Sequence, residues 1–235
     1  MKADVTPSVA GRRRTVFAAV VAATVMLGFA LASSASATTP AEELVEKSRF
    51  SVERMLADPD MQKLKRIVQQ ARGVVIIPQL VKGGFIVGAE GGSGVFMARG
   101  SDGTWSSPAF YTLAAASFGL QIGGQVSEVV FVLMTDGAVE ALLGNELKLG
   151  VDAGVAIGPL GMGLEASTTT NLGADIYAFS KSVGFFGGVA FEGAKLISRN
   201  SWNDSYYGAP APARAVVIER LFFNAQAERL RHALP

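Results

Sequence analysis

Cysteine is absent from the 235 residues, and histidine occurs once, at His232. Without cysteine, the chain has no disulfide framework, no thiolate metal site, no cysteine nucleophile and no lipoprotein anchor. A single histidine argues against a multi-histidine metal site and against a Ser-His-Asp triad. We therefore predict no metal, no cofactor, no catalytic residue and no enzymatic activity.

Neither sign of charge is in excess, because 21 basic residues accompany 20 acidic ones. Four of the basic residues and one acidic residue lie in the first 37 positions, so the other 198 carry 17 basic and 19 acidic residues. Nucleic-acid-binding proteins usually need a concentrated basic surface. We therefore expect no nucleic-acid partner. Any other anionic partner would have to be attracted by a local basic patch.

Long hydrophobic runs are also scarce, and the one at residues 16–32 follows Arg12, Arg13 and Arg14. Small residues at 35–37 (ASA) come next, and this order is typical of a secretory signal. Alternatively the run is retained as an anchor, although 17 residues barely span a bilayer. We expect cleavage near Ala37, by the Sec or the twin-arginine route, and export to the periplasm, cell envelope or medium. Residues 38–235 would then form a single domain, with residues 39–72 helical, 73–200 rich in strands, and 201–235 a C-terminal loop and helix.

Helical patterns occupy both ends of that domain. Thr39 and Glu42 fit a capping box, with Pro40 at the first helical position, which predicts a helix over 41–57. Asp58 is placed to cap a second helix over 61–72, whose apolar stripe is Met61, Leu64, Ile67, Val68 and Ala71. A short helix is predicted over 136–146, capped by Asp136, and a last one over 225–234 behind Asn224.

Between the helices, the hydrophobic period changes to that of strands. Residues 74–77 form a β-branched run bounded by Gly73 and Pro78. Further strands are predicted over 84–98, 105–112, 117–135, 147–157, 163–169, 174–181 and 185–197. Glycine recurs on one face of several of them, which indicates sharp bends or close backbone approach. The predicted fold class is α+β, with a strongly curved Gly-rich antiparallel or barrel-like sheet.

Three features could carry chemistry, and each has a structural alternative. The glycine cluster at 88–94 precedes a strand instead of a helix, which favours a hairpin or bulge over a phosphate loop. Two facing carboxylates could support hydrolysis, although the sequence does not pair the strand acids Glu90, Glu128, Asp152, Glu165, Asp175 and Glu192. The aromatic segment 200–208 is interpreted as a loop that either meets a membrane interface or packs on the sheet.

The predicted helix 61–72 combines its apolar stripe with cations at the margin. These cations are Lys63, Lys65, Arg66 and Arg72. Such a helix can lie in the headgroup layer of an anionic membrane, or it can be an ordinary core helix with a solvated basic side. Lys82 would add to the same lipid-binding patch only if the fold brings it near.

Several segments in a fixed order resemble the SYLF domain family. They are residues 73–78 (GVVIIP), 82–85 (KGGF), 88–94 (GAEGGSG), 105–110 (WSSPAF), 117–125 (SFGLQIGGQ), 175–177 (DIY), 184–189 (GFFGGV) and 206–208 (YYG). This lipid-binding module occurs in yeast actin-patch regulators, plant FYVE proteins and secreted bacterial proteins, and the resemblance covers nearly all of 41–234. It implies binding of anionic phospholipids or phosphoinositides through Lys63, Lys65, Arg66, Arg72 and Lys82.

Two departures limit what the resemblance implies. We expect no SH3 or FYVE module in this chain, so the partner recruitment of the eukaryotic members is not expected to carry over. An exported bacterial member would meet phosphatidylglycerol, cardiolipin or host lipids in place of phosphoinositides. The remaining hypotheses are a carrier that encloses an apolar ligand in the curved sheet and an actin-regulator-like interaction module, whose protein partners the sequence does not name.

Overall fold

A computed structural model describes residues 38–84, 87–118, 123–144, 146–157, 174–184, 191 and 193–235. The predicted signal and cleavage site, and the predicted strand 163–169, lie outside these residues. Within them the strands are β1 (Gly73–Gly84), β2 (Val87–Ala98), β3 (Ala109–Phe118), β4 (Gly123–Leu133), β5 (Glu146–Lys148), β6 (Val155–Ile157), β7 (Ile176–Gly184) and β8 (Lys195–Ser198).

These strands form one sheet in the order β5-β8-β3-β2-β1-β4-β7-β6. Neighbours pair antiparallel, except that β6 runs parallel to β7. The sheet curls into a half-barrel, which confirms the predicted α+β class and the predicted curvature. The longest strands, β1 to β4, occupy its middle and carry most of the buried side chains.

The helices are α1 (Pro40–Ala57), α2 (Gln62–Val68), α3 (Asp136–Leu142), α4 (Asn200–Tyr207), α5 (Ala213–Val217) and α6 (Glu228–Ala233). Short 3₁₀ turns at Pro59–Met61 and Ala225–Ala227 lead into α2 and α6. Among the described helices, none combines the length and the apolar character that a bilayer crossing requires.

The two sides of the sheet bury separate apolar clusters. One side, called the α1 face below, packs against α1, α2, α4 and α6 through residues such as Ile76, Phe110 and Val130. The other, called the α3 face, packs against α3 and α5 through residues such as Val75 and Phe131. Each strand therefore contributes alternate residues to the two faces, as a sheet covered on both sides requires.

The structure confirms some of the predicted helix ends and corrects others. The Thr39 hydroxyl accepts a hydrogen bond from the Glu42 amide, and the Glu42 carboxylate accepts one from the Thr39 amide, at 3.2 and 2.7 Å. Asp58 caps the 3₁₀ turn before α2, and α2 ends at Val68, four residues earlier than predicted. Thr135, and not Asp136, caps α3, because its hydroxyl accepts from the Ala138 amide.

The strand predicted to stop at Pro78 continues to Gly84 through a β-bulge. Its register with β4 shifts between Ile77 and Leu80, so the proline without an N–H lies in the irregular part. On β2, a Cβ at Gly92 would lie 2.5 Å from the Gln79 carbonyl oxygen, which only glycine avoids. This part of the glycine cluster is therefore structural, as predicted.

Two predicted segments are corrected. The strand over 147–157 is interrupted by a tight turn in which Gly150 has φ of +80°, leaving β5 and β6 separate. The loop predicted over 200–208 is mostly α4, which ends at Gly208 with φ of +71°. The polar composition of this helix is typical of loops, but Asn203 is buried and its side-chain oxygen accepts from the Phe110 amide at 2.7 Å.

Candidate functional site

Helix α2 turns its apolar stripe into the protein. Leu64 and Val68 are fully buried, and Met61 and Ala71 are nearly so, all within the cluster on the α1 face. The predicted apolar stripe is confirmed, but it packs against the sheet and the neighbouring helices. Insertion of this stripe into a membrane, as the sequence suggested, is therefore not available while α2 is docked.

The other side of α2 carries the predicted cations. Lys65 and Arg66 are exposed and Lys63 is partly buried. In the part of the chain that the structure describes, no acidic side chain lies within ion-pair distance of these three. Lys65 and Arg66 border a groove of about 550 Å³ between α2 and the end of α1. We call Lys63, Lys65 and Arg66 the α2 cations.

Two acids near α1 have basic partners, whereas Asp60, in the turn before α2, has none among the described residues. Asp58 accepts a hydrogen bond from the Lys181 ammonium at 2.5 Å, and this contact lowers the pKa of its carboxyl. Glu128 accepts from the Arg54 guanidinium and from the Ser51 hydroxyl. Because none of these carboxylates forms an ion pair with the α2 cations, the charge of the α2 cations remains available to an anionic ligand.

The remaining two predicted site residues lie elsewhere. Arg72 immediately precedes β1 and pairs with Asp136 of α3 at 3.5 Å. Lys82 lies near the far end of β1, opposite Glu90 and Gln125, on the face of the sheet away from α2. The fold therefore brings together three of the five predicted lipid-binding residues and separates Lys82 from them.

A second groove, of about 500 Å³, lies between α1 and the middle of the sheet. Phe50, Pro78 and Val126 form its apolar part, and Arg54 and Lys181 its basic part. Sequence reasoning missed this groove because it depends on the bulge in β1 meeting α1. One signal was present, since Phe50 lies off the apolar stripe of its helix and is 46% exposed.

The strand acids do not assemble into a catalytic pair within the described residues. Asp152 accepts from the Lys148 amide, and Asp175 accepts from Thr135 and from the Gly154 amide. Glu90 and Glu128 lie on opposite faces of the sheet, and Glu165 and Glu192 are outside the described residues. The described part also holds no group of three or more metal-binding side chains.

A two-faced α+β sheet domain with an unpaired basic surface and open grooves has the features of a binding domain. The family described as "Ysc84: Las17-binding protein actin regulator" matches residues 114–235. The chain belongs to this family, whose shared unit is the SYLF domain, so the resemblance seen in the sequence is confirmed. The family is one of regulators and binding domains.

Curated relatives support the same assignment. "SH3 domain-containing YSC84-like protein 1" from Homo sapiens is 38% identical over 177 residues, which cover 75% of this chain and 52% of the relative. "LAS seventeen-binding protein 3" from Saccharomyces cerevisiae is 36% identical over 158 residues, which cover 66% of this chain and 34% of the relative. The chain thus spans about half the length, or less, of these relatives. Both are eukaryotic, so the bacterial origin and the export of this chain gain no support from them and stay predictions.

Proposed function

We propose that this chain is a non-enzymatic domain that binds the anionic headgroups of a phospholipid membrane through the α2 cations. The observation that supports this function is the set of three cations on α2 without acidic partners among the described residues, two of which, Lys65 and Arg66, border an open groove at the α1–α2 corner. We also propose that the chain acts at an envelope or extracellular membrane, in line with its predicted signal.

The buried stripe of α2 determines the kind of binding. Because Leu64 and Val68 pack in the core, attraction comes from charge and not from insertion of this helix. A basic residue near an anionic surface contributes about 1 kcal/mol, so three contribute roughly 3 kcal/mol, or about 100-fold in affinity at low salt. Such binding weakens as salt screens the charges.

Vesicle flotation of the full chain tests this function. The variant Lys63→Gln, Lys65→Gln, Arg66→Gln should bind phosphatidylglycerol vesicles roughly 100-fold more weakly at low salt. The matched control removes three other cations that are at least 43% exposed, in Lys148→Gln, Lys195→Gln, Arg214→Gln. Both variants keep the N-terminal apolar run, so a difference between them arises from α2. Equal binding by the two variants would refute the assignment to α2.

A protein-interaction module is the second candidate, because the family description and the yeast relative name binding to Las17. The match at 114–235 lies entirely after α1 and α2, and it includes an exposed apolar segment with Leu221 and Phe223. Failure of the full chain to bind anionic vesicles even at low salt would favour this function. If the α2 variant then binds Las17, we would assign Las17 binding to this C-terminal part.

A further inference from the structure

The α3 face changes character along its length. Near the start of β1 it is apolar, but beyond Leu80 and Leu113 its neighbouring positions become polar. The polar side chains are Glu90 on β2, Lys82 on β1, Gln125 and Ser127 on β4, and Ser182 on β7. Lys82 lies opposite both Glu90 and Gln125, and Ser127 lies opposite Ser182. These five residues, called the polar end below, form adjacent positions across four strands.

The bulge in β1 creates this arrangement. Val75 and Ile77 face α3, and strict alternation would next place Gln79 and Val81 on that side. The register shift between Ile77 and Leu80 reverses the alternation, so Leu80 and Lys82 face α3 and Val81 faces the other way. Bulges that redirect a side chain are frequent beside functional sites.

The polar end buries oxygen atoms that lack hydrogen-bond donors. Glu90 is 7% exposed, and neither of its carboxylate oxygens has a partner among the described residues. Gln125 is 2% exposed; its Nε2 donates to Ser127 Oγ at 3.0 Å, whereas its Oε1 has no partner there. Buried polar atoms are nearly always paired, so these exceptions need an explanation. All three unpaired atoms are acceptors, and the missing component is therefore a donor.

The charges limit which donor fits. Glu90 and Lys82 balance one another, and burial raises the pKa of the Glu90 carboxyl while Lys82 opposes that rise. A free anion would meet the carboxylate, and a free cation would meet the ammonium. A hydroxyl group donates to carboxylate and amide oxygens and can also accept from the lysine. Ser182 is exposed and lies within 2.9 Å of Ser127 Oγ, so the polar end reaches solvent on the β7 side.

We propose that the polar end binds a neutral polyol, whose hydroxyl groups donate to Glu90 and Gln125 and accept from Lys82. The polyol is either a free sugar or cyclitol, or the polyol part of a lipid headgroup. This site is separate from the α2 cations, because Lys82 lies on the α3 face and α2 packs on the α1 face.

Amide NMR titration of the full chain tests the proposal. We expect myo-inositol or glucose to shift the amide signals of Glu90, Lys82 and Gln125, and ethanolamine and inorganic phosphate to leave them in place. Glu90→Gln should weaken polyol binding tenfold or more, and Gln125→Leu provides a second variant in case the first disturbs folding. The control Glu128→Gln alters a carboxylate on the α1 face and should bind polyols normally.

A vesicle experiment distinguishes the two polyol sources. Phosphatidylglycerol and phosphatidylserine carry the same net charge, but only the former presents a glycerol headgroup. A preference for phosphatidylglycerol that Glu90→Gln abolishes would identify a lipid source, and equal vesicle binding with retained polyol shifts would identify a free polyol.

The proposal is overturned if no polyol shifts these amides, or if ethanolamine or phosphate shifts them instead. The first result would mean that the oxygens of Glu90 and Gln125 stay unpaired without a polyol bound at the polar end. The α2 triple variant should titrate with polyols as the unmodified chain does, so failure of this proposal and failure of membrane binding are distinguishable.

Discussion

At one end of the α3 face, Val75, Phe96 and Phe131 are fully buried against apolar neighbours, whereas at the other end Glu90 and Gln125 are nearly as buried with unpaired oxygens. The same strands supply both ends, so the difference does not arise from the fold class. Apolar burial stabilises the domain, while unpaired buried oxygens cost stability. The polyol site that we propose would supply the donors that these oxygens lack.

The largest expected effect concerns the apolar end. Phe131 packs edge-to-face against Phe191, with ring centroids 4.8 Å apart, and Phe131→Ala should lower the free energy of unfolding by about 3–5 kcal/mol. The control Phe223→Ala removes a ring that is 66% exposed and should change it by less than about 0.5 kcal/mol. Chemical denaturation measures both, and a similar small effect for the two would show that the apolar end is not tightly packed.

A smaller effect is expected where the two ends meet, at the bulge. A Cβ at Gly92 would lie 2.5 Å from the Gln79 oxygen and 2.9 Å from Ile77 Cγ2, so Gly92→Ala should lower the free energy of unfolding by about 1–3 kcal/mol. At Gly91 the nearest atom is 3.7 Å away, and Gly91→Ala is the matched control with little expected change. Equal unfolding midpoints for the two variants in a denaturant titration would contradict the close approach of the β1 bulge to Gly92.

The smallest expected effect has the opposite sign and belongs to the polar end. Burial raises the pKa of Glu90, so the folded state holds its proton to higher pH than the unfolded state, and stability falls as pH rises through that interval. Glu90→Gln should therefore raise the free energy of unfolding by about 1 kcal/mol at pH 7. The gain should disappear below about pH 4, where the glutamate is protonated in both states.

Thermal or denaturant unfolding at several pH values measures this effect. The control Glu128→Gln removes a carboxylate that has hydrogen-bond partners, so it should leave stability unchanged or lower it. A loss of stability in Glu90→Gln at pH 7, equal to that in the control, would show that Glu90 is well paired in the folded state.

Local sequence signals predicted the elements they control directly. The capping box at Thr39 was predictable because its donors and acceptors lie within three residues of one another. The apolar stripe of α2 was also correct, since helical periodicity depends on the chain alone. Its role was not predictable, because a stripe of this kind suits a membrane and a protein core equally well. Only the packing of Leu64 and Val68 in the core distinguishes the two.

Other features depended on distant parts of the chain. Pro78 indicated the end of a strand, but pairing with β2 and β4 carries the chain through a bulge to Gly84. The segment 200–208 has the composition of a loop, yet burial of Asn203 and Tyr206 holds it as a helix. In both segments, long-range pairing and packing outweigh the local preference, which single-sequence reasoning does not include.

The sequence by itself determined the α+β class, the capping box of α1, the apolar stripe of α2 and the family of the chain, because each is encoded in local patterns or ordered motifs. The tertiary structure decided which surfaces are available. It covered the stripe of α2 and left the α2 cations exposed, and it turned Lys82 toward Glu90 on the α3 face. A one-residue register shift at the bulge is the physical reason for that last placement, since it reverses the face of every side chain that follows in β1.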